Sequence, residues 1–172
     1  MTNKEFFIHL WQKEQPITVR ALRALPEGDV LNYCYQPKSR SVKQLTDHFV
    51  SHVEDLVEAL EDGVLNHRVS AKYDSIDEAI RSFETNSACL VQLINNTSDE
   101  HWNDKDITLF VFGHPIDTMK LGERCWEFLH DIIHHRGQLS TTYRHLGVPQ
   151  PSIYGPTAEM VEAMMAQMAM AN

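Results

Sequence analysis

The stretch HDIIHHRGQL, residues 130–139, places three histidines, an aspartate and an arginine within ten positions. Imidazoles and carboxylates are the groups that bind divalent transition ions and exchange protons near neutral pH. His130 and His134 form one i,i+4 pair, and Asp131 and His135 form a second that overlaps it. Only one of these pairs can point mainly into a helical core. Upstream, LTDHFVSHVEDL repeats the spacing with His48 and His52.

A helical wheel separates the downstream pairs. With Leu121 at zero, the apolar stripe of Leu139, Ile132, Cys125, Tyr143, Phe128, Leu146 and Leu129 centres near about 20°. His135 falls at about −40° and Asp131 at about −80°, on the edge of that stripe. His134, near about −140°, and His130, near about 180°, turn away from the core toward solvent or an interface. Burying an aspartate and a histidine beside an apolar core is costly unless they pair or bind a metal, which makes Asp131 and His135 the site candidates. On the upstream helix both His48 and His52 lie within or beside the apolar face of Leu45, Phe49, Leu56 and Leu60, and geometry alone does not choose between them.

Two imidazoles and one carboxylate from two helices would hold a divalent transition ion and leave positions for water, the open arrangement of catalytic sites. Two histidines and a carboxylate also suit the iron(II) of a non-haem oxygenase. A hydrogen-bonded core network without metal uses the same residues, and spacing alone does not divide these readings.

Helices must position these groups. Residues 4–24 carry Phe6, Phe7, Leu10, Trp11, Ile17 and Leu22 at three and four spacing, a first helix in which Pro16 starts a second segment or kinks a single one. LPEGDVLNYCYQPKSR offers turn chemistry and no sustained period. Ser39 or Ser41 can cap a second helix over 41–61, ended by Asp62-Gly63. Residues 64–74 read as a connector, and Ser75 with Glu78 as the capping box of a third helix over 75–96. ITLFVF, within 101–117, predicts an extended segment or short hairpin. A long fourth helix over 118–146 closes at Gly147. Beyond it PQPSIYGP is an extended loop, and a last helix over 157–170 should pack Met160, Met164, Met165, Met168 and Met170 on the bundle or on a partner subunit. The reading is all-α, a four-helix bundle with a short extended insert before the last long helix.

Composition removes several function classes. The chain's 172 residues suit a single domain spanning 1–172. A net charge of −9, with Lys13, Arg20, Arg23, Lys38, Arg40 and Arg68 scattered rather than striped, argues against nucleic-acid binding. Cys34, Cys89 and Cys125 form no CxxC, which argues against a disulfide scaffold or a thiolate zinc site. No apolar run approaches the ~18 residues of a membrane span and MTNKEFFIHL lacks a signal-peptide layout, so no membrane association and a cytoplasmic location are expected. The chain has no phosphate-cradling glycine loop, serine elbow or nucleotide fingerprint.

Two stretches, LPEGDVLNYCYQPKSRSVKQLTDHF and HHRGQLSTTYRHLGVPQPSIYGPTAE, resemble the DinB/YfiT-like family of metal-dependent enzymes, which fold as four-helix bundles. With the helix spacing between them, the similarity spans residues 5–160, and the second stretch is the more specific. In that family one histidine of the second helix and two of the fourth, spaced HxxxH just before RGQ, bind a divalent metal. Matched residue by residue, the first ligand falls on His48 and the last on His135, while the remaining family histidine falls on Asp131. Aspartate binds the same kinds of ion. The resemblance therefore implies a site of two histidines and a carboxylate for zinc or nickel, with iron also compatible, and leaves His52 to the core.

The resemblance also implies a homodimer and a small-molecule substrate. Some members transfer low-molecular-weight thiols, and many have no assigned reaction. The expectation is a metal-activated water or low-molecular-weight thiol acting on a small substrate, as a thiol transferase or hydrolase. The alternative is a non-catalytic, dimeric, stress-related metal-binding bundle. Around the site, His134 reads as a base near the opening or a solvated side chain, and Arg136 as a partner for a substrate carboxylate or a structural ion pair. Gln138 reads as support for a ligand or a bundle hydrogen bond, and Tyr154 as a gate at the mouth or a packed turn residue.

Overall fold

The computed structural model describes residues 1–67 and 72–170. Arg68 and part of the expected 64–74 connector lie outside the described residues. Helix α1 (Asn3–Arg23) starts at a reciprocal capping box between Thr2 and Glu5 and runs through Pro16 as one element. Phe7 and Trp11 before the proline, with Val19 and Leu22 after it, are buried, so packing on both sides offsets the missing backbone bond. A 3-10 turn, Asp29–Asn32, sits in the loop that follows.

Helix α2 (Val42–Asp62) is capped by Ser41, not Ser39, in a box with Gln44, and ends at Gly63 in the left-handed conformation, φ 74°. Helix α3 (Ile76–Asn96) is capped by Ser75, which accepts from Glu78 N. The Glu78 carboxylate accepts from Asp74 N at 2.7 Å instead of closing the expected box on Ser75.

The segment between α3 and the last long helix is more structured than its sequence suggested. A six-residue helix α4 (Asp99–Asp104), capped by Ser98, buries Trp102. Before α3 lies a short strand β1 (Leu65–His67). After α4, strands β2 (Asp106–Val111) and β3 (His114–Lys120) form the hairpin, turning through Phe112 at φ 52° and Gly113 at φ 78°. Two consecutive positive φ values match the right-handed strand twist. β1 pairs with β2 in parallel, giving the sheet order β1-β2-β3. Pro115 sits on β3, an edge strand where its missing N–H is tolerated.

Helix α5 (Leu121–His145) begins later than its pattern predicted because Thr118, Met119 and Lys120 pair with β2. Gly147, φ 65°, follows its C-cap. Helix α6 (Ala158–Met170) buries none of its residues, so its methionines do not pack on the bundle as expected. Met160, Met164, Met165, Met168 and Met170 are all exposed.

α1, α2, α3 and α5 make the bundle, with α2 packed on α3, α5 and β1, and α1 on α3 and α5. Phe7, Trp11, Phe49, Leu56, Phe83, Leu90 and Leu139 fill its core. Tyr143 donates its hydroxyl proton to the Ala21 carbonyl, joining α5 to α1. Among the described residues no helix is long and apolar enough to cross a membrane.

One close approach near the start of α5 is testable. A Cβ at Gly122 would come 2.5 Å from Trp102 Nε1 and 2.7 Å from Trp102 Cε2. The indole cannot yield freely, because its N–H donates to Asn3 Oδ1 at 2.9 Å. Gly122→Ala is expected to destabilise the chain by about 1–3 kcal/mol, read from urea unfolding. An unchanged midpoint would show that the indole has room to move.

Candidate metal centre

Three elements converge on one buried polar cluster. α2 contributes His48 and His52 one turn apart, α5 contributes Asp131 and His135 at the same spacing, and β1 adds His67. The neighbours of these residues in sequence explain their position. Leu45, Phe49, Val53 and Leu56 bury the same side of α2, and Phe128, Ile132 and Leu139 that of α5, so packing the two helices presses the histidines together.

Asp131 Oδ2 is the centre of the arrangement. It lies 2.5 Å from His52 Nε2, 3.2 Å from His135 Nε2 and 3.6 Å from His48 Nε2. One donor atom from each of these four residues falls within 4.8 Å of the others. Donors about 2.1 Å from a tetrahedral ion lie roughly 3.4 Å from one another, so this group can hold a metal ion. The His48 ring packs edge-on against His52 and His135, with centroids 4.6 Å apart in both cases.

Protonation states favour the same use. Burial, reinforced by repulsion from the neighbouring His52 (were both rings to be protonated) and from Arg40, pushes His48 down to about 3, so its imidazole is neutral at physiological pH. Burial also lowers His52, against the opposing pull of Asp131. Burial would raise the Asp131 carboxyl, but hydrogen bonds from His135 and His52 outweigh it and hold the group well below the usual carboxylate range. Neutral imidazoles and an ionised carboxylate are the forms that bind metal.

The cluster forms the floor of a cleft of about 430 Å³. His48, His52, His67 and Asp131 face it, Phe128 and Leu109 supply apolar wall, and Glu127, His130 and His134 stand at its sides. The Asp131 side chain is 38% exposed against 8% for His135, so the carboxylate is the member that meets the opening. A larger cavity of about 590 Å³, between the loop of Tyr33, Tyr35, Lys38 and Arg40 and the C-terminal part of α5, contains none of the four.

The structure thus gathers His48, Asp131, His135 and His52. His130 and His134 are exposed, as the wheel predicted. Gln138 Oε1 lies 3.0 Å from His135 Nδ1, and Gln138 Nε2 lies 2.8 Å from His134 Nε2. One amide thereby accepts from His135 Nδ1–H, leaving the His135 Nε2 lone pair for an ion, and donates to His134.

Arg136 and Tyr154 stand elsewhere. Arg136, 1% exposed, bonds Glu14 Oε2 at 2.5 Å and Thr18 Oγ1 at 2.8 Å, the structural ion pair of the two readings. The Tyr154 hydroxyl joins Arg136 and Glu14, and neither Arg136 nor Tyr154 lines the histidine cleft. Tyr154 is therefore no gate to it.

Sequence reasoning missed His67 and Asp55. His67 Nδ1 lies 2.9 Å from Asp55 Oδ2, whose side chain is fully buried. Asp55 follows His48 and His52 at i+7 and i+3, the continuation of one helical stripe, and that spacing was a readable signal. For His67 the signal was only the alternation Leu65-Asn66-His67, buried, exposed, half-buried.

Residues 1–168 match the DinB family. The chain belongs to the DinB family. Two crystal structures of DinB-like proteins share the fold. A DinB-like protein from Bacillus cereus ATCC 10987 superposes with a TM-score of 0.68 at 18% identity, covering 87% of this chain and 97% of that one. A DinB-like protein from Bacillus subtilis gives 0.65 at 14% identity, covering 88% and 99%. No curated protein matches the sequence significantly. The resemblance carried by the PKSRS–LTDH and HHRGQL motifs is thereby confirmed at the level of family and fold.

Proposed function

We propose that this DinB-family chain is a metal-dependent enzyme in which His48, Asp131 and His135 hold a divalent ion, zinc or nickel with iron also compatible. The reaction would be that of a thiol transferase or hydrolase on a small substrate. The observation that carries the reading is Asp131 Oδ2, within 3.6 Å of three imidazole nitrogens and facing an open cleft. An ion of this class lowers the pKa of a bound water or low-molecular-weight thiol and so supplies a nucleophile near neutral pH. The chain's own residues prepare the position. Gln138 fixes the His135 tautomer, His52 steadies the Asp131 carboxylate, and Phe128 with Leu109 keeps one side of the cleft dry. The cleft volume suits a small molecule, and the net charge of −9 disfavours nucleic acid. A homodimer belongs to the same proposal, supported by α6, whose exposed methionines find no burial within one chain.

One observation favours the other reading, a metal that only staples α2 to α5. His52 Nε2 is as near as the proposed ligands, and four protein donors make a closed, structural site. Metal analysis by mass spectrometry on untagged protein tests the ion that both readings require, and an open position that exchanges water or a thiol then marks the enzyme. Stoichiometric metal in the wild type, lost in both Asp131→Ala and His135→Ala, is expected and would justify screening thiol-transfer and hydrolytic substrates. Metal retained in both variants, or absent from the wild type, would end the enzyme reading.

A further inference from the structure

Beyond the proposed ligands, the same face of the bundle carries more donors than one ion can use. His48, His52, Asp55, His67, Asp131 and His135 bring four imidazoles and two carboxylates together, whereas a tetrahedral ion takes four ligands. Their donor atoms gather into two groups, each spanning no more than 4.8 Å. His48, Asp131 and His135 lie in the first, Asp55 and His67 in the second, and His52 belongs to both. The His67 ring stands 4.9 Å from that of His52 and 5.0 Å from that of His48, so the two groups are in contact.

The hydrogen bond between His67 and Asp55 would by itself explain their 2.9 Å approach. It does not explain His52. That residue is 3% exposed, and its Nδ1 is buried with no hydrogen-bond partner among the described residues, although its Nε2 is engaged by Asp131. A buried ring nitrogen without a partner is costly, and a metal ion is one of the few ligands that relieves it.

We propose that the chain binds two divalent transition-metal ions side by side, the second held by His52, Asp55 and His67. The donor set repeats that of the first ion, two imidazoles and a carboxylate, and suits the same metals. Asp131 stands between the groups, with Oδ2 2.5 Å from His52 Nε2 and 3.2 Å from His135 Nε2. Asp55, fully buried at the back of the cluster, and His67, at the cleft, give the second ion an inner anchor and an outer one.

The inference rests on the metal-binding reading above, and one measurement tells their failures apart. Full-length, untagged protein is loaded with excess zinc, desalted over a chelating resin and analysed by mass spectrometry, with circular dichroism as the check on folding. Two zinc ions per wild-type chain are expected, falling to one in His67→Gln and one in Asp55→Asn. The His67 substitution lies on a three-residue strand, its side chain is 11% exposed, and glutamine keeps a polar group of similar length there. One ion per wild-type chain overturns the second ion and leaves the first standing, with no need of a variant. No zinc in the wild type overturns both readings. Two ions retained in both variants would place the second ion elsewhere and overturn this assignment.

Discussion

Arg136→Ala is expected to destabilise the chain by about 3–5 kcal/mol while leaving its metal content unchanged. The guanidinium is 1% exposed and reaches three partners outside its own helix: the Glu14 carboxylate at 2.5 Å, Thr18 Oγ1 at 2.8 Å and the Tyr154 hydroxyl. It therefore ties α5 to α1 and to the loop before α6. The loss exceeds that of an ordinary surface pair because the Glu14 side chain is only 14% exposed and would keep its charge with its main cation gone. Urea unfolding of the wild type and variant measures the difference. The double variant Glu14→Met/Arg136→Met should recover most of it, since exchanging both buried charges for apolar side chains is often neutral. A loss below about 1 kcal/mol in the single variant would show that water already solvates the pair. Metal content is the contrasting readout, because Arg136 faces α1 and lies outside the histidine cleft.

That pair also shows where sequence stops. HHRGQL places an arginine beside the candidate ligands, and proximity in sequence invites a substrate role. On the helix, His135 and Arg136 diverge by about 100° and end up facing different neighbours. The wheel was reliable where a long apolar stripe fixed the orientation, which is why Asp131 and His135 were separable from His130 and His134. It could not divide His48 from His52, because both lie on one stripe of α2 and α5 is wide enough to meet both. The helix start at Ser75 was legible, and that of α2 to within Ser39 or Ser41, because a cap is a local hydrogen bond. β1 was not, since three residues carry no period and become a strand only by pairing with β2 some forty positions later. His67 was lost with it.

Acid should begin to destabilise the metal-free chain above the range in which ordinary carboxylates titrate. In the unfolded chain His48 takes up its proton near an ordinary value of about 6.5, whereas in the fold burial and neighbouring positive charge push it down to about 3. Between those two values the unfolded chain holds the extra proton, so stability falls as pH falls across that window and is complete only above it. His52, also lowered, acts in the same direction. Asp131 adds its share lower down: its carboxyl is depressed in the fold, so its contribution is present at neutral pH and is lost as pH drops through the folded value. After screening by solvent at the open side of the cleft, His48 alone is worth roughly 2–4 kcal/mol, a large part of the 5–15 kcal/mol that holds a domain together. Urea midpoints of chelator-treated protein at pH 7.5 and pH 4.5 should therefore differ clearly, and His48→Gln, which has nothing to protonate, should flatten the difference. Equal midpoints at both pH values in the wild type would show that the imidazole is solvated. Metal sharpens the expectation, because a saturating ion stabilises the fold by about 4 kcal/mol at a thousandfold excess over its dissociation constant and is itself displaced by protons. With the proposed ion bound, the same protonation would release it and loosen the bundle, which would couple retention of the ion to integrity of the fold through one buried ring.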